Sequence, residues 1–415
     1  VITGIGAVSP NGVGCAAYTD ALRSGRSGIR AIPFDTSMLR THFAGCITGY
    51  DPSQILSAPD LRRTPRTVHL AAGAAAEALL SANLLQSGDQ TAKDGAHIGT
   101  LLGSGGGGLA FVEEQYRLYF TGQKGYSPFT IVAGTHGNLS SELSIRFGLK
   151  GPSHCISTGC TSSTDALGTA AMHIRFGTCP AFLVGGADAP IAEGILRGFE
   201  LMRILAETRD PPSQMSRPFS QDRDGFVLGE GSWMFVLEDA DHAAARGAPI
   251  FAELLGYAST CDAYHRVQPA PDATESARAI TTALDSARLA PADIDYVNLH
   301  GTSTVLNDLL ETKALHLALG DAAGKIPMSA TKSMIGHPQG ASGAAGIVAT
   351  ILSARAGFLH PTINLHAPDP ACNLDYLPHI ARETAGDTIT ALCNCIAFGS
   401  KNASLVLRIP RAATA

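Results

Sequence analysis

The chain has no long apolar run. None approaches the ~18 residues that a membrane-spanning helix needs, so a helical membrane protein is not expected. Charge is also scarce. Asp, Glu, Lys and Arg make up 16% of the sequence, against roughly 25% in ordinary soluble domains. Such a deficit points to surface that is buried, either inside the molecule or against another subunit. A net charge of −6 gives no basis for a dedicated nucleic-acid binder. There is no C-x-x-C, and no two histidines have the spacing of a helical zinc site, so no metal is expected. The nine cysteines fall at irregular intervals, as in a reduced cytoplasmic protein rather than a disulfide scaffold. The first residues, "VITGIGAVSPNG", read as a strand running into a glycine turn and not as a signal peptide.

What is present is an alternation. Short apolar runs ("HIGTLLG", "AFLVGG", "DYVNLHG", "ITALCNCIAFG", "SWMFVLE", "FAELLGY", "ASLVLRI") have strand character. Ala-rich stretches such as "RTVHLAAGAAAEALLSANL" and "ESARAITTALDSARL" have helix character. Together they predict an α/β fold. The 415 residues suffice for two fused halves, and "DADHAAARGAP" offers a divide, giving expected halves 1–245 and 246–415. The polar stretch Glu207–Gly225 is expected to be an ordered loop.

Four segments carry candidate chemistry. In "STGCTSSTDALG", Cys160 stands at a strand-to-helix turn. It is either a small buried residue or a nucleophile whose pKa a helix N-terminus would lower. Gly159 would allow an unusual backbone angle. In "VNLHGTSTVLNDLLET", His300 ends a strand, where it is either bonded to backbone or part of a catalytic loop. Thr302 and Thr304 follow in the turn; Asp308 and Glu311 share a helix face, Asp308 with the character of a helix-start cap. "SATKSMIGHPQGASGAAG" places Lys332 and His337 in a loop before an Ala-rich helix, where they are either solvent-facing or part of a site, and "CNCIAFGSKNASLVL" places Phe398 at a strand end, where it is either core or part of a site. "GSGGGG" fits a dinucleotide fingerprint literally, but the acidic residue required further on is missing, so it is expected to be a backbone turn lining a cavity. Cys393 and Cys395 are expected on one face of a strand.

In this order the segments resemble the β-ketoacyl synthase family of condensing enzymes. The resemblance runs from "VITGIGAVSPNG" through "SIRFGLKGPSHCISTGCTSSTDALG", "SRPFSQDRDGFVLGEGSWMFVLE", "HGTSTVLNDLLET" and "TKSMIGHPQGASG" to "NCIAFGSKNASLVL". It implies a thiolase-type αβαβα fold of two similar halves, usually dimeric. It also implies a Cys160–His300–His337 triad that condenses acyl and malonyl thioesters. Lys332 is then expected near His337 and Glu311, with Glu311 and Asp308 as a supporting network. The amides of Cys160 and Phe398 would form an oxyanion hole, and Phe398 would gate it. By the same resemblance no cofactor is bound. Substrates arrive on the phosphopantetheine of an acyl carrier protein, with Thr302 and Thr304 on the arm. Arg62, Arg66, Lys124 and Arg203 are expected in the carrier-docking patch.

"STGC", where fatty-acid enzymes usually have T-A-C, resembles the α-subunit of bacterial type II polyketide synthases. That implies a heterodimer with a chain-length factor, and a polyene-forming system is the narrowest expectation. The alternatives are a homodimeric housekeeping fatty-acid synthase and a non-catalytic partner subunit. Two departures stand out. The usual "GFGGTN" is "AFGSKN" here, and the glutamate usual nine residues after the second catalytic histidine is Gly346.

Overall fold

Apolar runs that do not alternate form strands buried on both faces. In the computed structural model, which describes residues 1–412, β1 (Ile2–Ser9) is buried at every position. Four more long strands of the first half are β3 (Ile98–Gly103), β4 (Ser153–Ile156), β5 (Ala181–Asp188) and β6 (Gly231–Glu238). With the short β2 (Gly12–Val13) they form a sheet in the order β2-β1-β6-β5-β3-β4. The chain leaves that sheet after Glu238 and enters a second one at β7 (Glu253–Cys261). The second sheet adds β8 (Tyr296–Asn298), β9 (Met328–Ser329), β10 (Thr388–Ala397) and β11 (Lys401–Pro410), in the order β9-β8-β10-β11-β7.

Numbered within its own half, each sheet has the strand order 1-5-4-2-3, the β2 hairpin aside. The first two pairings in that order are antiparallel and the last two parallel, in both halves. The fold is therefore a repeat that sequence similarity between the halves does not make visible.

Two 14-residue helices occupy the layer between the sheets: α2 (Ser162–Arg175) and α6 (Ser342–Arg355). Buried Ala, Ile and Val of α6 and Ala166, Leu167 and Ala170 of α2 belong to one core with both sheets. The helices approach closely. A Cβ on Gly343 would stand 2.0 Å from Thr164 Oγ1, and Ser163 Oγ accepts the amide of Ala344 at 2.9 Å. Helix α1 (Arg66–Ser81) covers the outer face of the first sheet. Helices α3 (Thr274–Ala287) and α4 (Val305–Leu319) cover that of the second, and the short α5 (Lys332–Ile335) precedes α6. The result is the five-layered αβαβα arrangement. No helix among the described residues is long and apolar enough to cross a membrane.

One strand is shorter than its sequence predicts. "DYVNLHG" pairs only over Tyr296–Asn298. Beyond it, buried Glu311 accepts the amides of His300 and Gly301 at 2.7 and 2.8 Å, which withdraws them from the sheet ladder.

Candidate active site

Cys160 lies in a 3-10 turn, Gly159–Thr161, between β4 and α2, and is 4% exposed. Gly159 has φ +74°. A Cβ there would stand 3.3 Å from Ala397 Cβ and 3.4 Å from the Phe398 carbonyl oxygen, close to ordinary contact, so it is the backbone conformation that calls for glycine. The sulfur sits 3.2 Å from His337 Nε2. The backbone amides of Phe398 and of Cys160 itself also act on it. The expectation of a lowered thiol pKa is overturned. Burial pushes it up to about 11, outweighing the opposing pull of the Lys332 charge and the two amides.

His337 sits just before the matching 3-10 turn, Gln339–Ala341, that leads into α6. Its Nδ1 accepts the Gln339 amide at 3.1 Å and pairs with Ser342 Oγ at 2.9 Å. An amide can only donate, so Nδ1 is unprotonated and the ring hydrogen is on Nε2, facing the sulfur. His300 presents its ring at 87° to that of His337, with centroids 5.5 Å apart. Burial and the nearby Lys332 hold both imidazoles well below the ordinary histidine pKa, and therefore neutral. One atom each from Cys160, His300 and His337 lies within 4.8 Å of the others. That spacing would suit a metal, but the hydrogen bonding does not. Ligation through His337 Nε2 would put a hydrogen on Nδ1, against the Gln339 N–H.

Lys332 has a further partner that the sequence did not suggest. Its ammonium donates to the His300 carbonyl at 2.6 Å and lies 3.3 Å from His300 Nδ1, so it serves His300 directly. It reaches His337 and Glu311 through charge. Glu311 also accepts from Asn394 at 2.9 Å. Asp308 lies in the first turn of α4. It accepts the amides of Phe219 and Thr302 at 2.8 and 3.1 Å and faces Arg223 at 3.5 Å. Burial raises the pKa of both acids.

Two residues of the site were not assigned to it from the sequence. Cys395, on the same strand face as Cys393, donates to the Cys160 carbonyl at 3.1 Å and lies 3.4 Å from His300 Nδ1. Alternation placed it on a face, but only the sheet shows which face meets the site. The other is Asp188, at the end of β5. It accepts from Ser104 Oγ, the amides of Gly105 and Gly106, and that of Gly340, at 2.7–2.9 Å. This corrects the reading of "GSGGGG": the turn wraps a buried carboxylate and is not part of the cavity wall.

The cavity measures about 550 Å³. Cys160, His300 and His337 lie on its wall, with Thr302, Thr304, Phe398 and Arg203. The hydroxyls of Thr302 and Thr304 are 2.9 Å apart. In the "AFGSKN" loop, Ser400 Oγ donates to the His265 carbonyl at 2.8 Å and accepts the His265 amide at 3.2 Å. The Phe398 loop is thereby tied to the segment bearing His265, Val267 and Gln268, which also line the cavity. Arg62, Lys124 and Arg203 are exposed and form no ion pair among the described residues. Arg66 instead makes a two-pronged pair with Glu230 at 2.7 and 2.8 Å.

A buried thiol, two neutral imidazoles offering N–H, and converging amides define a thiol-dependent acyltransferase of the condensing class. Comparison with known proteins gives the same answer. Residues 1–243 match the β-ketoacyl synthase N-terminal domain and residues 251–366 the C-terminal domain. The chain belongs to the β-ketoacyl synthase family. It is 40% identical over 410 residues to 3-oxoacyl-[acyl-carrier-protein] synthase 2 of Synechocystis, covering 98% of this chain and 97% of that one. It is equally 40% identical, over 420 residues, to putative polyketide beta-ketoacyl synthase 1 of Streptomyces halstedii, covering 99% and 98%. The solved ishigamide ketosynthase/chain length factor superposes with a TM-score of 0.87 at 32% identity, covering 100% of this chain and 99% of that one.

Proposed function

We propose that this chain is the catalytic ketosynthase of a type II polyketide system. It would extend an acyl chain held on Cys160 with malonyl units delivered on the phosphopantetheine of an acyl carrier protein. The observation that carries the chemistry is the Cys160 sulfur 3.2 Å from a His337 Nε2 that must bear the hydrogen.

In the first step the sulfur attacks the acyl thioester carbonyl. The amides of Cys160 and Phe398 hold the oxyanion, the carrier thiolate leaves, and it takes the proton lost by Cys160. In the second step the malonyl thioester loses its carboxylate as CO2. Nε2–H groups of His300 and His337 donate to the enolate oxygen. Each such donor contributes ~2.7–4 kcal/mol to the transition state. The enolate carbon then attacks the acyl-Cys160 carbonyl, the C–S bond breaks, and the Cys160 thiolate returns. Lys332 on Nδ1 keeps the His300 hydrogen on Nε2. Thr302 and Thr304 line the route of the arm, and Arg62, Lys124 and Arg203 offer unpaired positive charge to an acidic carrier.

The polyketide assignment is supported by "STGCTSSTDALG" and by the Streptomyces relative. Pairing with a chain-length factor is supported by the ishigamide complex, and by apolar side chains that a second subunit would cover. Phe120, Ile131 and Phe176 are 80%, 67% and 83% exposed. The second reading, a homodimeric fatty-acid synthase, is favoured by the equal identity to the Synechocystis enzyme. The separating experiment purifies the chain with and without a candidate chain-length factor and follows carrier-bound products by mass spectrometry. Product only with the partner supports the polyketide heterodimer; equal turnover by the chain alone contradicts it.

A further inference from the structure

Beneath the catalytic loops lies a buried polar cluster that no step above uses. At its centre is His360, 0% exposed. Its Nδ1 donates to the Pro361 carbonyl at 3.2 Å, which leaves the Nε2 lone pair free to accept. Asn298 Nδ2 donates to that Nε2 at 3.1 Å and, with its other hydrogen, to Thr331 Oγ1 at 3.0 Å. The hydroxyls of Tyr296 and Ser329 close the cluster, 3.1 Å from Nε2 and 3.0 Å from Nδ1.

The positions of these partners in the chain matter. Asn298 ends β8, two residues before His300, and Thr331 immediately precedes Lys332. From the other side the Asn298 amide rests on α6. A Cβ at Gly346 would stand 2.3 Å from Asn298 Oδ1. Space for the amide therefore exists because residue 346 is glycine. The Asn298 amide occupies the place where the family resemblance leads one to expect the start of a glutamate side chain.

We propose that His360 is a positioning residue: through Asn298 and Thr331 it fixes His300 and Lys332 in the geometry that malonyl decarboxylation requires. The inference rests on the ketosynthase reading above. Burial takes the His360 pKa down to about 4, so its ring is neutral through the working range and Nε2 stays an acceptor. Cys160 and His337 depend on other elements, the turns before α2 and α6. Acyl transfer to Cys160 should therefore be insensitive to His360, while condensation should not.

The test compares His360→Leu, His360→Gln and Gly346→Ala in the full-length protein. Acylation of Cys160 from an acyl-carrier thioester is read by intact mass, and CO2 release from malonyl-carrier thioester is read separately. His360→Leu leaves Asn298 without its acceptor, and CO2 release should fall about 10- to 100-fold while acylation stays within about twofold. Gln supplies both an acceptor and a donor, and should restore CO2 release to within about threefold of wild type. Gly346→Ala should reproduce the split by displacing Asn298 from the opposite side. A parallel fall of both steps in His360→Leu would mean a merely structural role and overturn the proposal. So would unchanged CO2 release, or a Gln variant no better than Leu. A wild-type protein that is never acylated would instead defeat the ketosynthase reading itself.

Discussion

The two halves share a strand order, yet their middle-layer helices do different work. Each helix follows a three-residue 3-10 turn, Gly159–Thr161 before α2 and Gln339–Ala341 before α6. In the first half that turn holds a thiol. In the second, the residues just ahead of it hold an imidazole. The repeat brings both helix starts to one point between the sheets, and the Cys160–His337 contact is made across the pseudo-symmetric junction. Asp188 fastens the junction by accepting amides from the "GSGGGG" turn of one half and from Gly340 of the other. The fold supplies the meeting place, and departure from symmetry at a few positions supplies the chemistry.

Removing the thiol should have the largest effect. Cys160→Ala should abolish acylation, checked by the absence of an acyl adduct in intact mass, while the folded protein remains. Removing one imidazole is the next largest effect. His337→Ala should lower condensation by about 100- to 1000-fold, read as kcat with carrier substrates. The helix contact itself is tested by Gly343→Val. Its branched side chain would press on Thr164, where even a Cβ reaches 2.0 Å. A loss of about 3 kcal/mol in denaturant unfolding is expected, at the upper end for overpacking.

Acid should act on the second half more than on the first. His300, His337 and His360 all have pKa values lowered by burial, that of His360 to about 4. An unfolded histidine takes a proton near pH ~6.5. Their contribution to stability is therefore complete above that value and is lost as pH falls toward and through about 4. Thermal melts from pH 8 to pH 4 check the sign. The smallest effect is expected at the surface. Arg203→Glu should raise KM for a carrier substrate several-fold at low salt, about 1 kcal/mol, and less at high salt, with kcat unchanged.

How much of this was legible in the sequence differs by residue. Runs such as "AFLVGG" and "SWMFVLE" became fully buried strands because nothing in them alternates. Cys160, His300 and His337 were ambiguous singly and became a set only through the order of their motifs. The raised pKa of Cys160 was not legible, because a helix start is visible in sequence and burial depth is not. Neither were Cys395, Asp188 or the His360 cluster. Each depends on which residues, distant in the chain, the sheets bring into contact.

One variant separates the roles of the two halves in a single measurement. His300→Ala is mixed with acyl-carrier thioester, then with malonyl-carrier thioester, and both protein and carrier are weighed by mass spectrometry. An acyl adduct on Cys160 that persists is expected, with β-ketoacyl carrier formed at least about 100-fold more slowly than by wild type, because the thiol and the amides around it are intact while one of two enolate donors is gone. Normal β-ketoacyl product from this variant, or failure to acylate Cys160 at all, would contradict it.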